Sequence, residues 1–346
     1  MAAEFTAGRF RGNAQPLVQR AARRWVAATI LLTVGAAAAV IALAPPRSVA
    51  PPEGVAFLLF VGSSVHVAST AWFYTVPEVR AHMRSHRARY VWWPLALIAG
   101  AGAMAVAVPV TALYWLLLPY FGWQFYHFQK QNLGIAALAA SSLRIGSLTR
   151  AERRALTGAG VATVAGLLTH PSLLQLPVSE PLRGSLAAGP ALGFALCVGC
   201  GLAALARRAP AERPAGFCLA YVTSLAFGLP VFVFASPYAS VAALTVAHGL
   251  QYLLLMGLVC AGPPGGTGRM MGLVTLCNVA LLGGSLLSLA SDGRAGTGMV
   301  RALYGAYLGA VTAHFVIDAG LWRLRDKFPR ALLASRVPYL VPAAGR

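Results

Sequence analysis

The chain contains few charged residues, and acidic residues are the scarcest. Of its 346 residues 11% are charged, and nine Asp and Glu stand against 28 Lys and Arg. A water-soluble domain usually has about a quarter of its residues charged. Together with 58% hydrophobic residues and a mean hydropathy of +0.67, this scarcity excludes an ordinary soluble domain and indicates an integral membrane protein.

Signatures of several soluble enzyme classes are missing as well. The sequence has no G-x-S-x-G, no phosphate-binding G-K-S/T and no G-x-G-x-x-G placed after a strand. Serine-hydrolase, P-loop and dinucleotide-binding functions are therefore not indicated. All five cysteines lie in apolar stretches, where a thiolate is unstable without a nearby cation. We interpret the Cys197-x-x-Cys200 pair as small residues at a helix contact rather than as a metal or redox pair.

Long apolar runs, by contrast, recur along the whole chain. Each is about twenty residues long, enough for a helix to cross about 30 Å of hydrocarbon. Helices are required because an open strand edge in lipid would leave backbone groups unpaired. The sequence therefore predicts an all-α, polytopic integral membrane helix bundle of about ten transmembrane helices. The predicted spans are 25–44, 54–74, 91–109, 112–140, 156–175, 185–206, 217–236, 239–261, 270–290 and 301–322.

The basic residues predict the orientation of these spans. Most of the 28 Lys and Arg fall in alternate loops on the side of both termini, whereas Arg47, Arg183, Arg294 and Arg301 lie on the other side. The positive-inside rule then places both termini in the cytoplasm and the protein in a bacterial inner membrane. We divide the chain into a basic cytoplasmic N-terminal tail (1–24), a single transmembrane domain (25–322) and a basic cytoplasmic C-terminal tail (323–346). The net charge of +19 becomes a topology signal with some attraction to anionic lipid, and no nucleic-acid partner is expected.

Four of the seven histidines lie near the middle of separate predicted spans. An ionisable side chain in the bilayer core is costly and usually faces the bundle interior with a partner. Neutral imidazole is also the commonest protein ligand of metals, and helix bundles build metal sites from inward-pointing side chains. The alternative is four separate structural histidines, each hydrogen-bonded to a neighbouring helix. We predict a shared metal site with His66, His127, His248 and His314 as ligands.

The predicted fourth span carries the polar stretch QFYHFQKQNLG at residues 124–134. Pro119 precedes it and is expected to interrupt the helix, and the stretch itself is interpreted as one wall of a buried site. It contains Lys130, which we interpret as a counter-ion of Asp318 in the catalytic site. Snorkelling of Lys130 towards the interface is an alternative. A retinal Schiff base is disfavoured, because ten spans do not suit a seven-helix rhodopsin.

Asp318 is the only acidic residue within a predicted span, and it lies one helical turn after His314 on the same face. It can act as a fifth ligand, or it can accept the second ring N–H of a ligating histidine and so fix its tautomer. The alternative is a salt bridge to Lys130 or Arg323. Further polar residues one turn from a predicted ligand are expected to support the site: Thr70, Gln131, Gln251 and Tyr252.

The predicted ligands favour iron(II), with zinc or copper as alternatives. Nitrogen-rich ligand sets with at most one carboxylate are unsuited to magnesium and calcium. A ferrous site within the bilayer has access to dioxygen and to apolar substrates, both of which dissolve there, and exclusion of water protects reactive species.

Single histidines on separate helices, together with the sequence HFVIDAGLWRLRD at residues 314–326, resemble the Brp/Blh family of membrane β-carotene dioxygenases. The resemblance implies histidine-held iron that splits a carotenoid into retinal, with the four midplane histidines as iron ligands. Asp318 stands where a further histidine is expected from the family.

The leading hypothesis is a non-haem iron oxygenase that acts on a lipid-soluble, isoprenoid or carotenoid-like substrate, with Asp318 and Lys130 as catalytic residues. A rival is a transporter or channel in which the same histidine, lysine and aspartate residues form a proton or metal-ion path. A third possibility is a structural membrane protein whose histidines merely pair. The spacing His82-x-x-x-His86 is typical of membrane desaturases and hydroxylases, but it lies among arginines and is interpreted as a solvated loop.

Overall fold

The computed structural model describes residues 2–45, 50–177, 188–263 and 268–341, with side chains from residue 16 onward. Across these ranges the chain forms helices and no strand, which confirms the predicted all-α class. Seven helices are long and apolar enough to cross a membrane. They are Pro16–Leu43, Glu53–Thr75, Ala88–Ala107, Ala188–Ala206, Tyr238–Ala261, Arg269–Ser291 and Gly298–Leu321.

Three other predicted spans correspond to helices that differ from the expectation. The fourth forms one helix, Val110–Ser142, with Pro119 inside it, so the expected interruption at Pro119 is wrong. Proline is tolerated within membrane helices because neighbouring groups satisfy the backbone carbonyl that it frees. The fifth is the helix Arg150–Leu168. The seventh is the span that breaks, into Ala215–Leu225 and Pro230–Val233. Pro230 is the first residue of the second helix, a position where the missing N–H of proline is tolerated.

A few of the predicted positions lie outside the described residues. These are Arg47, Arg183 and the first three residues of the predicted span 185–206.

Four helices carry the predicted ligands, and each is named here by its histidine. They are the His66 helix (Glu53–Thr75), the His127 helix (Val110–Ser142), the His248 helix (Tyr238–Ala261) and the His314 helix (Gly298–Leu321).

Glycines bring the His66 and His248 helices into backbone contact. A Cβ atom at Gly249 would overlap the carbonyl oxygen of Gly62, and a Cβ atom at Gly62 would lie 2.6 Å from the Cα of Val246. Only glycine permits so close an approach. Because Gly249 follows His248 directly, this crossing places the His248 ring beside the His66 helix.

Each of these two helices also contains a π-helical segment, Phe60–Val65 before His66 and Tyr238–Ala242 before His248. A π-helical turn inserts a residue and rotates the side chains that follow, and such turns are frequent at functional sites.

A second glycine pair orients the His314 helix. Gly305 and Gly309 form a G-x-x-x-G motif that packs on the helix Ala88–Ala107, where added Cβ atoms would overlap the carbonyls of Ala101 and Leu97. At 100° per residue, His314 projects from the side opposite Gly305. The motif therefore points His314 away from Ala88–Ala107 and towards the other three histidine-bearing helices.

Two ion pairs join helix ends that the charge pattern predicts on the cytoplasmic side. The bidentate guanidinium of Arg208 donates to buried Glu152 at 2.6 and 2.7 Å. Arg336, in the helix Lys327–Arg336, pairs with Glu78 in the short helix Pro77–Ser85.

Candidate metal centre

The structure brings the four predicted imidazole rings together in the interior of the bundle. The centroid of the His66 ring lies 5.0 Å from that of His248 and 5.1 Å from that of His314. The ring of His127 lies 5.2 Å from His248 and 5.4 Å from His314. His66, His248 and His314 are at most 3% exposed, and the side chain of His127 is 13% exposed. Four separate structural histidines would not form such a cluster.

Two groups of side chains are close enough to hold a metal ion. The first is His66, His248 and His314, and the second is His127, His314 and Asp318; within each group one ligand atom per residue lies within 4.8 Å of the others. Two donors bound to one ion at about 2.1 Å lie at most about 4.2 Å apart. A small inward movement of the side chains therefore suffices for either group to close around an ion.

Many of the ring nitrogens in this cluster are buried without a hydrogen-bond partner among the described residues. They are both nitrogens of His66, both nitrogens of His248, and Nε2 of His127 and His314. Buried polar atoms are normally paired, and each one left unpaired costs about 1–3 kcal/mol. A bound cation would satisfy one nitrogen of each ring at once. The residues present therefore fit a metal ion.

With Asp318 ionised, a chain of hydrogen bonds determines the tautomer of His314. The hydroxyl of Tyr252 donates to Oδ1 of Asp318 at 2.9 Å. Its oxygen is therefore free to accept from the hydroxyl of Thr70, also at 2.9 Å. The Thr70 oxygen must in turn accept from Nδ1–H of His314, at 2.6 Å. With its one proton on Nδ1, the neutral ring of His314 presents a lone pair at Nε2, which is the form that binds a metal.

That lone pair faces a second acceptor. Nε2 of His314 lies 3.5 Å from Oδ2 of Asp318, and Nε2 of His127 lies 4.0 Å from the same oxygen. With Asp318 ionised, the nitrogen of His314 and this oxygen are both acceptors, so no hydrogen bond can form between them. Two donors bound at about 2.1 Å with a tetrahedral angle would lie about 3.4 Å apart. The spacing is compatible with two ligands of one ion.

The two groups cannot hold two ions at once. They share His314, and its only nitrogen with a free lone pair is Nε2, because Nδ1 is occupied by Thr70. One imidazole lone pair binds one metal. The two groups are therefore alternative or joint positions for one ion, and Asp318 belongs to the second group.

Lys130 does not join this cluster, contrary to the expectation. Its side chain is exposed, and the ion pairs of Asp318 are with His127 and His314. Lys130 shares a helix face with Trp123, which is exposed as well, and at 100° per residue this face is turned about 60° from His127. The expected pair with Asp318 is therefore not formed, and a catalytic role of Lys130 has no support from its position.

The salt bridge of Asp318 to Arg323, an alternative left open by the sequence, is not formed either. Arg323 pairs with Asp326 at 3.8 Å.

The amides near the cluster connect helices rather than face the imidazoles. Gln131 donates to the backbone carbonyl of His248 and to Oε1 of Gln251, both at 2.9 Å. Gln251 donates to Thr33 at 2.7 Å and to Asn132 at 3.3 Å. These bonds hold the His127 and His248 helices together and tie both to the first helix.

Two phenylalanines that the sequence reasoning missed stack on the ligand rings. Phe128 lies parallel to His248 with a centroid distance of 4.0 Å, and Phe315 lies parallel to His127 at 4.3 Å. Each fixes the plane of a histidine on another helix. The available signal was the repeated dipeptide His-Phe, at His127-Phe128 and at His314-Phe315.

The other candidate ligands belong to neither group. His82 and His86 lie at the surface, with the ring of His82 stacked 4.0 Å from Phe328. Cys200 is exposed, and Cys197 packs closely against Gly158. Among the described residues, the four-histidine cluster is the only one that could hold a metal ion.

The fold and this cluster together define an α-helical membrane protein with a buried histidine and aspartate site. Comparisons of the chain with protein-family models, with curated proteins and with solved structures find no match.

Proposed function

We propose that this protein is an integral membrane non-haem iron oxygenase that acts on a lipid-soluble, isoprenoid or carotenoid-like substrate. The observation that carries the proposal is the convergence of four imidazoles and one carboxylate with buried, unpartnered nitrogens. In this proposal His66, His127, His248 and His314 hold the metal, and Asp318 is the fifth ligand. Iron(II) would supply one-electron chemistry with dioxygen, and zinc and copper are the alternatives that metal analysis distinguishes.

The residues of the chain have separable roles in this proposal. Thr70 and Tyr252 keep the proton of His314 on Nδ1, away from the ion. Phe128 and Phe315 fix ring planes and exclude water from the imidazoles. A dry site of this kind suits a substrate that enters from the bilayer.

The resemblance to the Brp/Blh family supports a carotenoid or another polyene as the substrate. In that family the implied chemistry is cleavage of a central double bond at histidine-held iron. The carboxylate of Asp318 is the main departure from that pattern, because it replaces a neutral donor by an anionic one and so stabilises the more oxidised ion.

The finer topology of ten spans with cytoplasmic termini in an inner membrane is part of the same proposal. Contacts between helix ends support it. On the predicted outer side, Arg301 donates to the carbonyl of Val108 at 2.6 Å and Ser236 to that of Pro45 at 3.0 Å. On the predicted cytoplasmic side lie the pairs of Arg208 with Glu152 and Arg336 with Glu78. Each contact joins ends that the charge pattern assigns to the same side.

Metal analysis of the purified protein tests the proposal most directly. We expect about one iron per chain, and loss of the metal when any one of the four clustered histidines is changed to alanine. His170→Ala is the matched control, because His170 hydrogen-bonds within its own helix end, to the carbonyl of Gly166. Lipid extracts of cells with and without the gene would then be compared for an oxygenated product. A preparation that binds no transition metal and carries a pH-dependent ion flux in vesicles would instead establish the transporter.

The hydrogen-bond chain bears on that rival. It runs from His314 through Thr70 and Tyr252 to Asp318, which contacts His314 again. A chain that closes on itself supports the positioning of ligands better than conduction across a membrane.

A further inference from the structure

A second candidate site lies beside the helix Pro77–Ser85, on the predicted cytoplasmic side. It is a cavity of about 510 Å³ lined by Tyr74, Arg80, Met83, Arg84 and Val91. Tyr74, Met83 and Val91 give it an apolar wall, and the two arginines stand one helical turn apart on the same face. Tyr74 ties the wall together by donating to the carbonyl of Tyr90 at 2.6 Å.

The two arginines have no carboxylate partner among the described residues. The only acidic residue of Pro77–Ser85 is Glu78, and it pairs with Arg336. Arg80 and Arg84 are both exposed. Two uncompensated guanidinium groups within one turn form a binding position for a phosphate, which accepts several charge-assisted hydrogen bonds at once.

The cavity lies at the depth of lipid headgroups. Trp92 and Trp93, which directly follow the lining residue Val91, are 61% and 60% exposed. Exposed tryptophans at the beginning of a membrane-spanning helix mark the membrane interface. The helix Pro77–Ser85 has the matching amphipathic character, with Val79 and Met83 buried and the arginines outward.

We propose that this cavity is a binding site for one anionic phospholipid. Arg80 and Arg84 hold the phosphate, and the upper part of an acyl chain lies along Tyr74, Met83 and Val91. A lipid fits this cavity better than a free phosphate ion does, because its acyl chain would cover the apolar wall, whereas an ion would leave the wall in contact with water. The cytoplasmic leaflet, where the charge pattern places this helix, is the leaflet that contains anionic lipid. The site is independent of the metal centre and of the proposed oxygenase activity.

The test uses the full-length protein in nanodiscs of phosphatidylcholine with added phosphatidylglycerol, and native mass spectrometry to count the lipids that each chain retains. The wild type is expected to retain one phosphatidylglycerol in preference to phosphatidylcholine. The double variant R80Q/R84Q is expected to bind phosphatidylglycerol at least about tenfold more weakly, since each basic residue near a membrane surface contributes roughly fivefold in affinity for anionic lipid.

A matched control is R150Q/R154Q, which removes two other exposed arginines at the same spacing, at the beginning of the helix Arg150–Leu168 and outside the cavity. It is expected to retain the lipid. Val91→Trp fills the cavity without changing the charge. Like R80Q/R84Q, it is expected to release the lipid. This variant also serves as the test if R80Q/R84Q does not fold.

Two results would overturn the proposal. One is an equal loss of lipid in R150Q/R154Q and R80Q/R84Q, which would mean that diffuse surface charge holds the lipid. The other is displacement of the lipid by millimolar inorganic phosphate, or its full retention by Val91→Trp, which would mean that the apolar wall contributes nothing.

Discussion

Removal of one hydroxyl group, in the variant Tyr252→Phe, tests the positioning of the metal ligands. Tyr252 is 2% exposed, and its hydroxyl makes two hydrogen bonds, one to Asp318 and one with Thr70. Without it, Thr70 is free to donate to His314 instead of accepting from it. The ring is then no longer held with its lone pair at Nε2, and the carboxylate of Asp318 loses its buried donor.

The expected loss follows from the two bonds. A hydrogen bond to a charged group contributes about 1.5–3 kcal/mol and a neutral one about 0.5–1.5 kcal/mol, and only part of that sum differs between the metal-free and the metal-bound protein. Residues that orient a metal ligand typically contribute about 10- to 100-fold in metal affinity, or about 1.4–2.7 kcal/mol. We therefore expect Tyr252→Phe to bind iron 10- to 100-fold more weakly, while the fold is retained.

Competition titration with a chromogenic chelator measures this affinity in detergent. Tyr221→Phe is the matched control, because Tyr221 is fully buried but its hydroxyl has no hydrogen-bond partner among the described residues. It should bind iron as the wild type does. An unchanged affinity in Tyr252→Phe, or an equal loss in both variants, would refute the assignment of the proton on His314.

The remaining predictions concern the helix crossing, Lys130 and the ion pair of Glu152. Gly249→Ala inserts a methyl group against the Gly62 carbonyl, so it should lower the free energy of unfolding by about 1–3 kcal/mol and reduce bound iron. Gly257→Ala on the same helix meets no atom within 4 Å and should change neither quantity. Thermal unfolding and metal content measure both effects. Lys130→Gln should leave metal content unchanged, and Asp318→Asn should lower it about tenfold or more; a loss in Lys130→Gln would show that the exposed lysine does act at the site. Burial raises the pKa of Glu152, but the hydrogen bonds from Arg208 and from the Thr149 backbone outweigh it, so that the pKa falls below its ordinary value of 4.5. This pair therefore stabilises the fold above about pH 4.5 and ceases to do so as the pH falls through the lowered pKa; Glu152→Gln should lose about 3–5 kcal/mol at pH 7 and less at acidic pH, as thermal melts at pH 7 and pH 4 would measure.

The convergence of the four histidines could be predicted from the sequence, and the orientation of the helices around them only in part. His66, His127, His248 and His314 stand near the middle of separate apolar runs, and the cost of burying polar groups in lipid brings them together. Helical spacing also identifies Asp318, Thr70 and Tyr252, because each lies one turn after a clustered histidine on the same helix. Each of these predictions needed only the position along a helix.

The rotation of each helix about its axis was beyond the sequence. Lys130 lies at nearly the same depth as His127 but faces outward. The polar residues of the stretch 124–134 are distributed around the helix, so the sequence does not show which face is turned inward. The close crossing at Gly62 and Gly249 depends on tertiary contact, and the glycines of this chain are too numerous to single out that pair. Pro119 was misjudged for a related reason, because the groups that compensate for a proline in a membrane helix come from the rest of the bundle.

The unpaired ring nitrogens of the cluster favour a ligand role of the four histidines over a structural one. Six buried ring nitrogens have no partner among the described residues, and burying unpaired polar atoms costs more than burying leucines of similar size at the same positions. Histidines that served only to join helices would be expected to find donors and acceptors, as Gln131, Gln251 and Asn132 do one turn away. The same neighbourhood thus contains one polar network that is satisfied by the protein and one that is not. In the proposed function a cation would complete the second, and its binding free energy would offset the cost of keeping the cluster in the bilayer.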